Sequence, residues 1–179
     1  MKVLILGGNG MIGHYLLNEL KQSFNVKASL KNNKNIYSHL SAYNEKNYFF
    51  NVNALNLNSI KQTFNSFRPD VVINAIGITK KLIHSIPKED SIIINSLFPH
   101  QLSNICKTFN SRLILFSSDC VFSGKKGNYK ETDETDAQDL YGLTKKLGEI
   151  DLPNVITIRK STIGLEISKS HGLIEWFLS

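Results

Sequence analysis

Short, continuous apolar runs alternate along the chain with stretches whose apolar residues recur at helical spacing. Lys2 to Leu6 reads as a strand. Met11 to Ser23 reads as a helix, with Ile12, Tyr15, Leu16 and Leu20 along one face. Asn25 to Leu30, Tyr48 to Val52 and Val71 to Ala75 read as the second, third and fourth strands. The stretch from Ile36 to Asn47 is polar and shows no clear period. Asn58 or Ser59 caps a helix that ends near Phe67, and Arg68-Pro69-Asp70 turns the chain into the fourth strand. Asp90 to Phe109 reads as a long helix that Pro99 kinks or divides. Arg112 to Ser117 is the fifth strand, Ser123 to Gln138 a polar loop, Leu140 to Ile150 a helix and Val155 to Arg159 the sixth strand. Leu173 to Leu178 begins another helix.

Strands that are apolar throughout are covered on both faces, as in a parallel sheet. Alternation with helices gives right-handed βαβ crossovers. The expected fold is therefore α/β, a doubly wound parallel sheet of the Rossmann type. It occupies residues 1–170, and residues 171–179 begin a further region.

Composition narrows the field. With 179 residues, 41% apolar and 20% charged, the chain suits one folded domain and does not read as disordered. No apolar run approaches the roughly 18 residues of a membrane helix. Lys2 and the run from Val3 to Leu6 look like the start of a signal peptide, but Gly7, Gly8 and Gly10 break it. A soluble, cytoplasmic protein is expected, with no membrane partner. Cys106 and Cys120 form no CxxC pair, and the five histidines show no HExxH or HxxxH spacing, so no metal site is expected. The net charge of +6 comes from scattered lysines and arginines. No basic stripe or module points to nucleic acid, whereas a phosphate-bearing small molecule suits the charge.

The first chemical signal is Gly7-Gly8-Asn9-Gly10-Met11-Ile12-Gly13, a GxxGxxG turn between strand and helix. Such a turn brings backbone N–H groups to a pyrophosphate at a helix N-terminus. Gly10 leaves room for the dinucleotide, and Gly13 lets helix and strand pack closely. About 0.04 such patterns arise by chance at ordinary glycine usage, so the signal is specific. Its bland alternative is a plain glycine-rich turn. The second strand lacks the terminal carboxylate that would hold the ribose 2′-OH of NAD. Ser29 and Lys31 stand there instead, where a carboxylate would repel a 2′-phosphate. That favours NADP(H) over NAD(H), although a lysine in such a loop is often merely solvated.

Tyr141 and Lys145 form a YxxxK pair on one helix face. An ammonium beside a phenol lowers its pKa and readies it for proton exchange with an alcohol or ketone. About 0.6 such pairs are expected by chance in a lysine-rich chain, so the pair is weak alone. It gains weight from Ser118, placed beyond the fifth strand where open α/β sheets bind ligands. Its hydroxyl would polarise the carbonyl that Tyr141 protonates; otherwise it only caps the strand end. Ala75, Ile76 and Gly77 leave the fourth strand with little bulk for a cofactor to avoid. Asn95 serves either a proton relay or the helix itself. No GxSxG elbow supports a serine hydrolase.

These segments resemble the extended short-chain dehydrogenase/reductase family, in particular its dTDP-4-dehydrorhamnose reductase branch. The likeness rests on Leu6 to Gly13, Asp70 to Ala75, Ile94-Asn95-Ser96, Ser117 to Gly124 and Tyr141 to Glu149, and it covers essentially the whole chain. The resemblance implies a triad of Ser118, Tyr141 as acid and Lys145, which also bonds the nicotinamide ribose. It implies cofactor contacts from Gly7, Asn9, Gly10, Met11 and Ile12, and from Asn53 where the family usually has an adenine-contacting Asp. Related dehydratases carry Asp-Glu after the Ser/Thr, whereas Asp119-Cys120 stands here, which favours reduction. Cys120 also departs from the tyrosine usual in the rhamnose enzymes. The implied function is NADPH-dependent reduction of the 4-keto group of a nucleotide-diphosphate deoxysugar, in cell-surface polysaccharide biosynthesis. The alternatives are a nucleotide-sugar epimerase and a non-catalytic NADP-binding module such as the regulatory subunit of methionine adenosyltransferase. Family members run to roughly 300 residues, about two domains' worth, and the part that builds most of the sugar pocket is missing here. Trp176 and Phe177, if exposed, favour a homodimer.

The missing carboxylate gives a direct test. Fluorescence titration should show NADPH binding at least several-fold more tightly than NADH. Equal affinities, or a preference for NADH, would overturn the assignment.

Overall fold

The computed structural model describes residues 1–37 and 46–164, with positions 174 and 177. The strands are β1 (Lys2–Leu6), β2 (Asn25–Ser29), β3 (Tyr48–Phe49), β4 (Val71–Asn74), β5 (Arg112–Ser117) and β6 (Val155–Arg159). They form one parallel sheet in the order β3-β2-β1-β4-β5-β6. The helices are α1 (Met11–Leu20), α2 (Leu57–Phe67), α3 (Lys88–Ile92), α4 (Phe98–Thr108) and α5 (Leu140–Leu147), with a π-helical segment, Ile93–Leu97, between α3 and α4. The expected doubly wound α/β architecture is the one observed.

The central strand shows why the sheet is two-sided. Val3 to Leu6 are almost completely buried, and alternate side chains enter opposite cores. Leu4 and Leu6 join Ile60 and Phe64 of α2 and Phe98 and Leu102 of α4. Val3 and Ile5 join Leu17 of α1, with Val26 and Ala28 of β2. Strand order reverses between β1 and β4. The loops there part at the carboxyl ends of the strands and leave a crevice.

Element boundaries differ from the sequence expectation for local reasons. Helix α2 begins at Leu57 because Asn56 is its cap, its side chain accepting the Asn58 N–H at 3.1 Å. Ser59 instead accepts the Asn53 N–H and donates to the Asn56 carbonyl. Strand β3 stops at Phe49, and Asn51 just beyond it takes a left-handed φ of 60°. The long helix from Asp90 widens before Pro99 rather than kinking at it. Pro99, in the first turn of α4, has no N–H for the Asn95 carbonyl four residues back, and the π-helical segment absorbs that gap. Helix α5 ends at Leu147, three residues early, because the chain turns at Gly148 to bring Glu149 to Ser117 and Arg159. Of the helix expected at Leu173 to Leu178, positions 174 and 177 are helical and Phe177 is exposed. Trp176 lies outside the described residues.

Gly148 marks where α5 packs against the π-helical segment. A β-carbon there would strike the backbone carbonyl of Asn95 and come within 3.3 Å of Pro99. Backbone cannot swing aside as a side chain can, so Gly148→Ala should cost about 2–3 kcal/mol. Gly124 has open space around it but a φ of +84°, so Gly124→Ala should cost only about 1 kcal/mol of backbone strain. Denaturant unfolding of both variants measures the difference. Equal losses would show that the α5 contact yields easily.

Candidate functional site

The crevice between β1 and β4 is built first by glycine geometry. Gly7 leaves β1 with a φ of +88°, a conformation that favours glycine. Its N–H donates to Ser29 Oγ at 3.3 Å, and the Gly8 N–H donates to the Ser29 carbonyl at 2.8 Å. A β-carbon on Gly13 would strike the Gly7 carbonyl, and one on Gly8 would lie 2.6 Å from the Ala28 β-carbon. Gly10 is different. A β-carbon there would meet only the Gly7 carbonyl, at 3.6 Å, so the protein itself leaves this position open. Gly10 also caps α1 with no side-chain hydrogen bond, and no acidic residue lies in the first turn. The helix end therefore offers backbone N–H groups and a positive dipole to an anion.

The residues around this turn divide in role. Ser29 is buried and bonded to the glycine turn, so it braces the turn. Lys31 is exposed just beyond β2 and is the side chain of the two that is open to a 2′-phosphate. Asn53 Oδ1 accepts the Leu55 N–H at 3.0 Å, which leaves its amide hydrogens outside that bond. Beyond β4, the Ala75 backbone lies against Gly7, and Gly77 lies near both Asn95 and Lys145. The glycine turn and Lys145 thus border one crevice.

Asn95 joins two walls of that crevice. Its Oδ1 accepts the Ile78 N–H at 2.8 Å, and its Nδ2 donates to the Ile78 carbonyl at 2.9 Å and to Thr144 Oγ1 at 3.3 Å. Both amide hydrogens are committed, so the side chain fixes the loop after β4 against α5. Ser96 adds a bond from its hydroxyl to the Thr144 carbonyl at 2.9 Å. On the other side of α5, Gly142 lies so close to the Cys120 carbonyl that a β-carbon would strike it. Asp139 caps the helix by accepting the Gly142 N–H at 2.8 Å and pairs with Lys80 at 3.0 Å.

Tyr141, Lys145 and Ser118 meet around this helix. Tyr141 is half-buried, and burial raises its phenol above its ordinary value. The Ser118 hydroxyl and the Lys80 charge pull it down, while Cys120 and Asp119 push it up. Lys145 Nζ donates to the Phe116 carbonyl at 2.6 Å. Burial lowers its pKa to about 8, against a weak upward pull from Glu149 and a further downward push from Lys160. The expected depression of the phenol by the lysine is therefore not what this geometry does. The ammonium is held at Phe116, and desolvation outweighs the favourable charges at Tyr141. Ser118 is buried; it accepts the Cys120 N–H at 3.1 Å and donates to Asp119 Oδ1 at 3.0 Å. A cavity of about 10 Å³ lies under Lys145, bordered by Asn74, Asn95, Phe116, Ser117 and Thr157, near the lower limit for one water.

Several structural partners were invisible in the sequence pattern. Glu149 receives Arg159 through two bonds, at 2.9 and 2.8 Å, and the Ser117 hydroxyl at 2.6 Å. Arg159 also donates to the Glu131 carbonyl and lies over the Phe122 ring, so it ties the 123–138 loop to β6. Lys160 lies over the Phe116 ring, 4.7 Å from its centre. Ser161 donates to Asp119 at 2.6 Å. These residues are scattered along the chain, and only the Ser-Asp step at 118–119 carried a readable signal. Among the described residues there is no cluster of three or more metal-ligand side chains, and no helix is long and apolar enough to cross a membrane. Burial pushes the Cys106 thiol up to about 12, which makes it unreactive.

Comparison with known proteins places this arrangement. Residues 1–163 match the RmlD substrate binding domain family. The chain is 28% identical over 175 residues to the spore coat polysaccharide biosynthesis protein SpsK of Bacillus subtilis, covering 96% of this chain and 54% of that protein. It is 30% identical over 125 residues to dTDP-4-dehydrorhamnose reductase of Aggregatibacter actinomycetemcomitans, covering 69% and 42%. It is 25% identical over 175 residues to methionine adenosyltransferase 2 subunit beta of Danio rerio, covering 94% and 50%. The crystal structure of dTDP-4-dehydrorhamnose reductase from Bacillus anthracis, in complex with NADP, superposes with a TM-score of 0.77 at 19% identity, covering 99% of this chain and 58% of that one. The chain spans about half the length of the curated relatives it matches.

The lowered lysine generates a stability test. Folded Lys145 loses its proton near pH 8, whereas the unfolded chain keeps it to about 10.4. The unfolded state binds more protons between those values, so stability rises with pH across that window. Denaturant unfolding should show the rise, worth up to about 3 kcal/mol, and Lys145→Met should abolish it. A wild-type chain with no Lys145-dependent rise would place the lysine at its ordinary pKa.

Proposed function

The chain belongs to the RmlD substrate binding domain family, and we propose that it supplies the cofactor half and the proton-transfer group of an NADPH-dependent sugar-nucleotide reductase. The observation that carries this reading is the single crevice bordered by an open, uncapped glycine turn and by Ser118, Tyr141 and Lys145. The unfilled space at Gly10 and the bare N-terminus of α1 fit a dinucleotide pyrophosphate. The NADP complex of the Bacillus anthracis reductase, and the exposed Lys31 where NAD-type sites place a carboxylate, support NADP(H).

NADPH supplies a hydride when bound. The residues of this chain handle the proton and the geometry. Tyr141, protonated at neutral pH and pushed further from ionisation by burial, gives its phenolic proton to the oxygen of the reduced carbonyl. Lys145, mostly cationic at neutral pH with a pKa of about 8 and anchored at the Phe116 carbonyl, would orient the nicotinamide ribose. Ser118 fixes the carbonyl oxygen. The backbone of Gly7, Asn9, Gly10, Met11 and Ile12 holds the pyrophosphate, Asn53 meets the adenine, and Ala75, Ile76 and Gly77 floor the site. Asn95 acts by holding that floor against α5. The substrate is a 4-keto nucleotide-diphosphate deoxysugar, consistent with the dTDP-4-dehydrorhamnose reductases and the polysaccharide biosynthesis protein among the relatives.

The likeness to methionine adenosyltransferase 2 subunit beta favours a second reading, a non-catalytic binding module of the same fold. One comparison separates the two. With a pooled panel of 4-keto nucleotide sugars, mass spectrometry should detect reduced products, and Tyr141→Phe should cut turnover by roughly 10²-fold or more while NADPH affinity barely changes. Binding of NADPH without turnover on any member would favour the module. Turnover unaffected by Tyr141→Phe would remove Tyr141 as the acid.

A further inference from the structure

Ser118 has one hydroxyl hydrogen, and its surroundings decide where that hydrogen goes. Asp119 Oδ2 lies 2.6 Å from Ser161 Oγ, and Asp119 Oδ1 lies 3.0 Å from Ser118 Oγ. The Ser161 bond foremost, and the Ser118 bond with it, hold the Asp119 carboxyl below its ordinary range, so it is ionised at neutral pH. An ionised carboxylate can only accept hydrogen bonds. Both serines must therefore donate to it. The Cys120 N–H takes one lone pair of Ser118 Oγ at 3.1 Å. Ser118 is also within hydrogen-bond reach of Tyr141, where its hydroxyl pulls the phenol down, so Asp119 and Tyr141 compete for that one hydrogen. A substrate carbonyl has no hydrogen to give, so Ser118 can grip it only after the hydroxyl hydrogen leaves Asp119.

We infer that Asp119 is a positioning residue that draws the Ser118 hydroxyl hydrogen away from Tyr141 and the substrate carbonyl, and that Ser161 holds Asp119 in place to do so. Nothing in the sequence pattern marks Ser161. It lies 42 positions along the chain from Asp119, on the exposed segment leaving β6. The hydrogen-bond direction at Ser118 is thus tied to where that segment lies. The inference deepens the reading of Tyr141 as proton donor and rests on it for its catalytic meaning, because a Ser118 that cannot donate leaves a Tyr141 phenolate without its nearest stabilising hydrogen bond. The other groups facing the phenol are Cys120, from the same turn as Asp119, and Lys80, from the loop after β4.

The test reads Tyr141 directly. Tyrosinate absorbance is titrated in the full chain for the wild type, Asp119→Asn, Ser161→Ala and Ser161→Thr. Each is paired with its Tyr141→Phe counterpart, so that the difference isolates Tyr141. Asp119→Asn frees the Ser118 hydrogen and removes a negative charge, and both effects favour the phenolate. The Tyr141 midpoint should fall by about half a pH unit or more, roughly a threefold gain in acidity, the size set by the exposure of Asp119. Ser161→Ala should shift it the same way, and Ser161→Thr, which keeps the hydroxyl, should restore the wild-type midpoint. Ser161 is exposed, so its variants fold even where Asp119→Asn does not, and circular dichroism confirms this. A merely structural role would move the unfolding transition and leave the phenol alone. An unchanged or raised Tyr141 midpoint in folded Ser161→Ala overturns the inference. Because the titration needs neither cofactor nor substrate, its failure is distinct from a failure of the proposed reductase activity, which the Tyr141→Phe turnover test decides.

Discussion

The site depends on the buried amide of Asn95. It bonds the backbone of Ile78 on both sides and reaches Thr144 on α5. A buried amide with its hydrogens satisfied fixes a single arrangement of the groups around it, and leaving it half satisfied is costly. Through this one side chain the loop that floors the crevice and the helix that carries Tyr141 and Lys145 are held in register. Pro99 makes the arrangement possible. Its missing N–H releases the Asn95 carbonyl from the helical ladder, and that carbonyl faces the gap left by Gly148. A proline in one helix and a glycine at the end of another thus shape one contact.

The same packing sets the electrostatics. Bringing α5 close to β5 takes Lys145 and Tyr141 out of water, and desolvation drives their pKa values apart, the lysine down to about 8 and the phenol above its ordinary value. At neutral pH the lysine is mostly an ammonium and the phenol is protonated, so the phenol has a proton to give. Glu149 works against the burial of Lys145, yet its carboxylate is mainly occupied by Arg159 and Ser117. That ion pair does its positioning at the exit of α5, where a bidentate guanidinium has a rigid geometry to impose.

The glycine turn is organised by steric exclusion. Gly8 and Gly13 are required by their own protein neighbours, while the space at Gly10 is left empty by the protein. Ser29 belongs with the first group, since its hydroxyl braces Gly7 from inside the sheet. A residue read from the sequence as a ligand contact thus also braces the turn, and Lys31 lies exposed just beyond the end of β2.

Much of the fold was legible in the residues. Continuous apolar strands such as Val3 to Leu6 can only be buried on both faces, and the helices between them force parallel crossovers, so the doubly wound sheet followed from periodicity. The spans of β1, β5 and β6 followed as well, because apolar runs bounded by polar residues mark their own ends. The glycine turn and the Tyr141–Lys145 spacing were readable because each is a local pattern. Cap choice, the π-helical segment and the length of β3 were not, since each turns on one hydrogen bond or one dihedral angle that several nearby residues could have supplied. The order of elements and the list of candidate residues were thus written in the sequence. Which of them are tied into the scaffold and which stay open was decided only by tertiary contacts. The bonds of Asn95 to Ile78, of Ser29 to Gly7 and of Ser161 to Asp119 join residues 17 to 42 positions apart, and a hydrogen bond across such a separation leaves no local pattern to read.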